Sequence, residues 1–267
     1  ALSLAISGVG SIRAVRGTDA KHYYCGRAAE SGVIANLLAM EGSTGPLDVF
    51  EDRNGIISIL NDKAFEHSHI NNIGKEFSLL TPGVDIKKYP VCYASHAAAD
   101  GIKSIIESKN IPIENIDKII CTVPPIIASN LTFHKPRTAK EAQFSLEFSI
   151  ALMLKYRDIK LEHLSSEYIL DPDIRNLINK VSMNVSKLPK RIKPTRKICP
   201  EWSNVELFTK NGESHEKFVG APLGSSIDPL PRNMLYKKFN SCVEFSNIKF
   251  ETKSVYEKLI NIEKLKN

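Results

Sequence analysis

The sequence predicts an α+β chain, helical at both ends with a middle that carries three or four strands. Three observations lead there. Ala28, Ala29, Gly32, Ala35 and Ala39 recur at helical spacing, which marks a helix with a small-residue face. Residues 116–123 form a β-branched run stopped by Pro124-Pro125, the pattern of a strand. Asn211-Gly212 separates residues 204–209 from 216–219, a hairpin signal. The outer helical parts, residues 1–85 and 220–267, are each too short to close a core alone. The helical domain is therefore expected to be incomplete, with its N-terminal half missing. Residues 86–219 form the smaller α+β domain.

The elements follow in order. Residues 1–12 are small and apolar with almost no polar face, so they read as the inside of a buried helix rather than a natural N-terminus. Gly8-x-Gly10 is no dinucleotide fingerprint, since Arg13 stands at the third glycine position. Arg13, Arg16 and Lys21 lie in a cation-rich connection. The small-residue helix runs from about Cys25 to Gly42, its C-terminal stop, and another helix can approach its face closely. Residues 56–80 read as helix and loop, with His67-Ser68-His69 in the polar part. A helix over 94–108 precedes the strand at 116–123. Pro136 and Thr138 introduce one long, largely buried helix at 139–156, and a short helix follows at 161–168. Asp171-Pro172 supplies a cap and a first turn for a helix reaching Val181. Residues 181–185 alternate as a strand. Residues 187–197 carry six cations and two prolines and read as a solvated loop, for they contain no aromatic residue to stack a base. A Pro/Gly-rich crossing at 220–231 leads to a helix at 233–242 and a tail with Val255, Leu259 and Ile262 on one stripe.

Bulk properties restrict the function. A hydrophobic share of 42% and a charged share of 25% over 267 residues describe a globular chain. A net charge of +6 suits small anionic substrates without requiring nucleic acid. Five scattered cysteines without a C-x-x-C pair point to a reducing, cytoplasmic setting. No apolar run spans a bilayer, so neither a membrane nor a nucleic-acid partner is expected.

The chemistry concentrates in Lys87-Lys88-Tyr89-Pro90-Val91-Cys92-Tyr93-Ala94-Ser95-His96. Pro90 keeps Tyr89 out of helical space, so the lysine pair is presented from an extended segment. Ser95 or Tyr93 marks a helix entry with His96 in the first turn, where amide N–H groups and the helix dipole favour an anion. Cations, a helix start and a titratable imidazole suit carboxylate binding with proton transfer beside it. The same residues also read as a solvated lysine pair before an ordinary helix, with His96 packed or capping. Cys92 and His96, four apart, are a thiolate pair or plain packing. His67 and His69 have no companion ligands of metal spacing, and no G-x-S-x-G elbow is present.

Taken together, the motifs resemble the MmgE/PrpD family, which includes 2-methylcitrate dehydratases, cis-aconitate decarboxylases and iminodisuccinate epimerases. The resemblance rests on Lys21 followed by Gly26-Arg27-Ala28-Ala29 through Gly45-Pro46; on Lys87, Tyr89, Pro90, Cys92, His96 and Asp100; on Pro136, Thr138, Glu141, Ala142, Phe144 and Ser145; and on Pro222, Gly224, Pro229, Leu230, Leu235, Lys238, Phe239 and Cys242. These matches run in order from about Val15 to Cys242. The resemblance implies a helical domain to which residues 220–267 return, an α+β lid at 86–219, and an active site in the cleft between them. It implies a cofactor-independent lyase working on a small di- or tricarboxylate by proton removal next to a carboxylate. A 2-methylcitrate dehydratase-type reaction in propionate metabolism is expected, with decarboxylation, epimerisation or an inactive interaction remnant as alternatives.

On that basis Lys21 and Lys87 are assigned to carboxylate binding or acid catalysis, and His96 to a proton-transfer or orienting role. Lys88 is the competing member of the pair. Arg16, Tyr89 and Cys92 join Lys88 as binding residues. No metal or cofactor is expected. A homodimer is, completed where necessary by a separate helical segment.

Overall fold

The computed structural model describes residues 1–8, 10, 12–60 and 66–264. The side chains of Arg13, His67 and His69 lie outside the described residues, and so do the expectations placed on them. The chain divides into two compact units, Ala1–Thr81 and Pro82–Asn267. Among the described residues it is α+β, with eleven α-helices and one four-stranded sheet.

In the first unit, α1 (Leu2–Ser7) packs on α2 (Ala20–Met40), and α3 (Ile56–Leu60) and a 3₁₀ turn (His67–Asn72) follow. The structure starts α2 five residues before the expected Cys25 and ends it beside Gly42, where the Ser43 N–H donates to the Leu38 carbonyl at 2.9 Å. Neither helix is well covered. The expected burial of α1 is not found: none of its side chains is buried, and α2 buries only Ala35 while Val33, Leu37 and Met40 stay exposed.

The second unit is built on a mixed sheet of order β2-β1-β3-β4. Strand β1 (Ile116–Val123) lies parallel to β2 (Val181–Val185) and antiparallel to β3 (Ser203–Thr209), which forms a hairpin with β4 (Ser214–Val219). Both the 116–123 strand and the Asn211-Gly212 hairpin stand where the sequence places them.

Helix α4 (His96–Lys109) packs on β3 and β4 and buries Ile102, Ile105 and Ile106. Gly101 is what lets it settle there. A Cβ at that position would stand 2.9 Å from Val205 Cγ2.

The parallel β1–β2 connection carries α5 (Pro125–Ala128), α6 (Ala139–Ala142), α7 (Leu146–Tyr156), α8 (Ser166–Ile169) and α9 (Pro172–Ile178). The single helix expected at 139–156 is therefore two. Thr138 caps α6 by accepting from the Glu141 N–H, and Ser145 restarts the chain as α7 by accepting from the Phe148 N–H at 3.1 Å. A serine hydroxyl competes with the helical carbonyls for nearby amide donors, which explains a break in an otherwise helical pattern. Asp171 caps α9 as expected, by accepting from the Asp173 and Ile174 N–H groups.

The last segment belongs to this unit. The Ile86 N–H donates to the Gly224 carbonyl at 2.7 Å, and the Gly224 N–H to the Asp228 carbonyl at 2.7 Å. Helix α10 (Arg232–Ser246) and α11 (Thr252–Leu259) pack on each other through Tyr236, Phe239 and the buried Tyr256. The expected tail stripe shifts by one position, for Tyr256 is inside while Leu259 and Ile262 are exposed. Among the described residues no helix is long and apolar enough to cross a membrane.

Candidate active site

The stretch from Lys87 to His96 runs extended and turns once as a 3₁₀ segment (Tyr93–Ser95) before α4 begins at His96. The Cys92 N–H anchors it by donating to the Gln143 carbonyl at 2.8 Å, between α6 and α7. Ser95 Oγ donates to the Cys92 carbonyl at 2.9 Å and lies 3.3 Å from Ser149 Oγ on α7. Ser95 itself offers no side-chain cap to α4. The helix entry is buried along with it, since Ser95 and His96 are both fully inaccessible. The dipole of α4 therefore does not meet solvent at this point.

Asp100, one turn into α4, organises the site. Its Oδ1 accepts from Lys88 Nζ at 2.9 Å and from the Tyr89 hydroxyl at 2.8 Å. Its Oδ2 accepts from the Leu223 N–H at 3.0 Å. Burial, followed by the Asp100 charge, raises the Tyr89 phenol well above its ordinary range, so it stays a donor. Lys88 also lies 4.8 Å above the Tyr89 ring. The segment at 88–89, helix α4 and the crossing at 223 are thus tied by one carboxylate.

His96 packs between two phenols, with ring centroids 5.1 Å from Tyr89 and 5.0 Å from Tyr93. Neither ring nitrogen has a hydrogen-bond partner of normal geometry. Burial pushes the imidazole down to about 4. Asp100 and the backbone at Val91 and Tyr89 favour the charged ring, Lys87 opposes it, and burial outweighs them. The ring is therefore neutral at neutral pH.

A cavity of about 660 Å³ opens beside Lys88 and Pro90, within the range of small-ligand pockets. Lys103, Lys160, Lys237 and Lys238 line it as well, along with apolar Ile159, Leu161, Leu230 and Met234. His96 does not line it, and neither does Lys87, which is exposed. Of the expected site residues, Lys88, Tyr89, Cys92 and His96 come together in the second unit. Arg16 and Lys21 belong to the first, where they line a separate cavity of about 860 Å³ between α1 and α2. Cys92 is half-buried and holds the backbone of the segment.

Sequence reasoning passed over two features. Asp100 was read as a motif position only, and its pairing with Lys88 twelve residues away depends on the turn at 93–95. His134 Nδ1 meets Glu147 Oε1 at 2.6 Å, and Glu147 is buried at the start of α7. A loop residue after α5 and a helix residue of α7 create that pair, and no spacing in the chain announces it.

Fold and site together define a two-unit α+β protein with a lysine-rich cavity in its second unit. The sequence model of the MmgE/PrpD C-terminal domain matches residues 89–259, and that of the MmgE/PrpD N-terminal domain matches residues 1–68. The chain belongs to the MmgE/PrpD family. Residues 1–68 are accordingly N-terminal-domain sequence, and the expected absence of that half does not follow. The chain is 25% identical over 247 residues to the cis-aconitate decarboxylase of Homo sapiens, covering 90% of this chain and 50% of that protein. It is 25% identical over 190 residues to the cis-aconitate decarboxylase of Mus musculus, covering 68% of this chain and 38% of that protein. The chain thus spans half or less of the length of these relatives.

Proposed function

We propose that the chain is a lyase acting on a small di- or tricarboxylic acid, with Lys88 as the cation beside the reacting carboxylate. The observation that carries this reading is the Lys88 ammonium, fixed by Asp100 and Tyr89 at the wall of a cavity lined by further lysines. Breaking a bond next to a carboxylate leaves an electron pair that spreads onto its oxygens. An ammonium already in place stabilises that charge without reorganisation.

Loss of CO₂ fits the site better than the expected loss of water. Decarboxylation breaks a carbon–carbon bond, releases CO₂ and leaves its electron pair on the remaining acid, which then takes a proton from water or from a lysine ammonium of the cavity; it requires an acid but no base. Dehydration begins by removing a proton. The only imidazole in the Lys87–His96 stretch is sealed between Tyr89 and Tyr93 and does not line the cavity. His96 then acts as a positioning residue that fixes the Tyr89 ring. The names of the two relatives support the same branch. Arg16 and Lys21 line the first unit's own cavity. All five cysteines are free, which fits the proposed reducing, cytoplasmic setting.

The test is to incubate the protein with cis-aconitate and with 2-methylcitrate and to follow CO₂ release and products by NMR. CO₂ from cis-aconitate supports decarboxylation. Unsaturated acid without CO₂ moves the chain to the dehydratase branch, and no turnover of either acid refutes the lyase reading.

A second reading has one observation behind it. The first unit exposes Val33, Leu37, Met40, Leu47, Leu79 and Leu80, more apolar surface than a solvated unit usually leaves bare. It suits a homodimer or a helical partner segment covering α2. Light scattering that returns only monomer would remove the homodimer.

A further inference from the structure

We infer that the α10 side of the second unit's cavity, which carries Lys237 and Lys238, holds the remote carboxylates of a di- or tricarboxylic acid and so sets the number of charges the site accepts. The inference rests on the reading of Lys88 as the cation at the reacting end. Five lysines line the cavity against two carboxylates, Asp158 and Glu244.

Three of those lysines are already engaged. Lys88 pairs with Asp100 at 2.9 Å. Lys160 has Glu162 at 3.4 Å. Lys103 donates to the Arg157 carbonyl at 2.9 Å and lies 3.8 Å from Glu107. Among the described residues no carboxylate pairs with Lys237 or Lys238.

Two consecutive ammoniums on one helix repel each other, and collecting them at a cavity already bordered by three more raises that repulsion. An anion entering the cavity relieves it. The two side chains leave α10 about 100° apart, so they close on a ligand from two directions rather than on one oxygen. The apolar lining by Pro90, Ile159, Leu161, Leu230 and Met234 suits the carbon skeleton between charged ends. A monocarboxylate reaches Lys88 but leaves the α10 wall unpaired. A tricarboxylate carries charges enough for both.

The test measures binding of tricarballylate, succinate, acetate and inorganic phosphate by calorimetry. It uses the wild-type chain, the Lys237→Gln/Lys238→Gln double variant and Lys88→Ala. Both α10 lysines are at least partly exposed, and circular dichroism checks that the fold is kept. Wild type should prefer tricarballylate to acetate by at least a hundredfold. The double variant should lose about tenfold or more for tricarballylate and change little for acetate. A charge-reversed Lys237→Glu/Lys238→Glu chain should bind tricarballylate no better than acetate.

Equal tricarballylate affinity in wild type and the double variant overturns the inference. So does phosphate that binds as tightly as tricarballylate and competes with it, because the cavity is then a simple inorganic-anion site. If Lys88→Ala alone leaves every affinity unchanged while the α10 variants weaken binding, the α10 wall stands and the reading of Lys88 falls. The reverse pattern keeps Lys88 and removes the α10 wall.

Discussion

The Tyr89 hydroxyl donates to Asp100 Oδ1 at 2.8 Å, on the same oxygen that receives Lys88 Nζ at 2.9 Å. Two neighbours in sequence thus converge on one carboxylate of the following helix. The second oxygen of Asp100 takes the Leu223 N–H at 3.0 Å. One side chain therefore joins the candidate site, α4 and the returning segment that leads to α10.

This convergence predicts a large effect at Asp100. Asp100→Ala removes three acceptor contacts in a partly buried setting and leaves a lysine, a phenol and an amide without their partner. The expected loss is about 2–4 kcal/mol of folding stability. Asp100→Asn keeps one acceptor oxygen for Lys88 and the Tyr89 hydroxyl but sets a donor NH₂ against the Leu223 N–H, and should lose roughly half as much. Urea unfolding followed by circular dichroism measures both, and equal stability of wild type and Asp100→Ala would show that the knot contributes nothing.

His96 predicts a pH dependence. Its folded value, near 4, lies below the ordinary imidazole value of about 6.5. Between these limits the unfolded chain binds a proton that the folded chain refuses, so stability is full above about pH 6.5 and falls as the pH drops toward 4. The maximum loss attributable to this group is about 3 kcal/mol. Asp100, Lys87, Tyr89 and Tyr93 surround the ring. His96→Phe should keep the packing and flatten the profile. The reading is the difference between wild type and variant at pH 7 and pH 4.5, which removes the contribution of the carboxylates. Parallel profiles would mean that His96 is not buried neutral.

Much of the second unit was legible because its signals are local. The run at 116–123 and the Asn211-Gly212 turn declare themselves within a few residues, as does the Asp171-Pro172 start of α9. The break at 143–145 was local too: Ser145 stands three residues before Phe148, whose N–H it accepts. The apolar pattern running across it concealed it. What the sequence withheld were contacts across space. Lys88 and Lys87 are equivalent in sequence, and only the path of the folded segment puts Lys88 against Asp100. His134 meets Glu147 because the loop after α5 folds back on α7. Lys238 enters the sequence reading only as a motif position and Lys237 not at all, because nothing local shows that α10 borders the same cavity as Lys88.

Two glycines should resist substitution for different reasons. At Gly101 the backbone is helical, and the obstacle is Val205 Cγ2 at 2.9 Å from an added Cβ. Gly101→Ala should cost about 1–3 kcal/mol as α4 is pushed off the sheet. At Gly224 φ is +105 and an added Cβ would overlap the Ile86 carbonyl oxygen, so both strain and clash act there. Gly224→Ala should be at least as damaging. Thermal unfolding of the two variants checks the pair, and an unchanged midpoint for Gly101→Ala would place α4 farther from β3.

The two lysines of the opening pair should separate in kinetics. Lys88 lines the cavity and is oriented by Asp100, whereas Lys87 is exposed and outside it. If Lys88 stabilises charge developing next to the reacting carboxylate, Lys88→Ala should lower kcat/KM for cis-aconitate by roughly a hundredfold or more, about 3 kcal/mol. The loss should fall mainly on kcat. Lys87→Ala changes the field around His96, and its effect should stay within about tenfold. A folding control is needed, because Lys88→Ala leaves Asp100 with the Tyr89 hydroxyl and the Leu223 N–H alone. Lys88→Arg supplies that control: it keeps the positive partner for Asp100 but replaces a compact ammonium with a planar fork. A folded Lys88→Arg that remains slow assigns the loss to chemistry at the cavity. If Lys87→Ala is instead the slower variant, the cation beside the substrate is Lys87, and the extended segment must turn over when substrate binds.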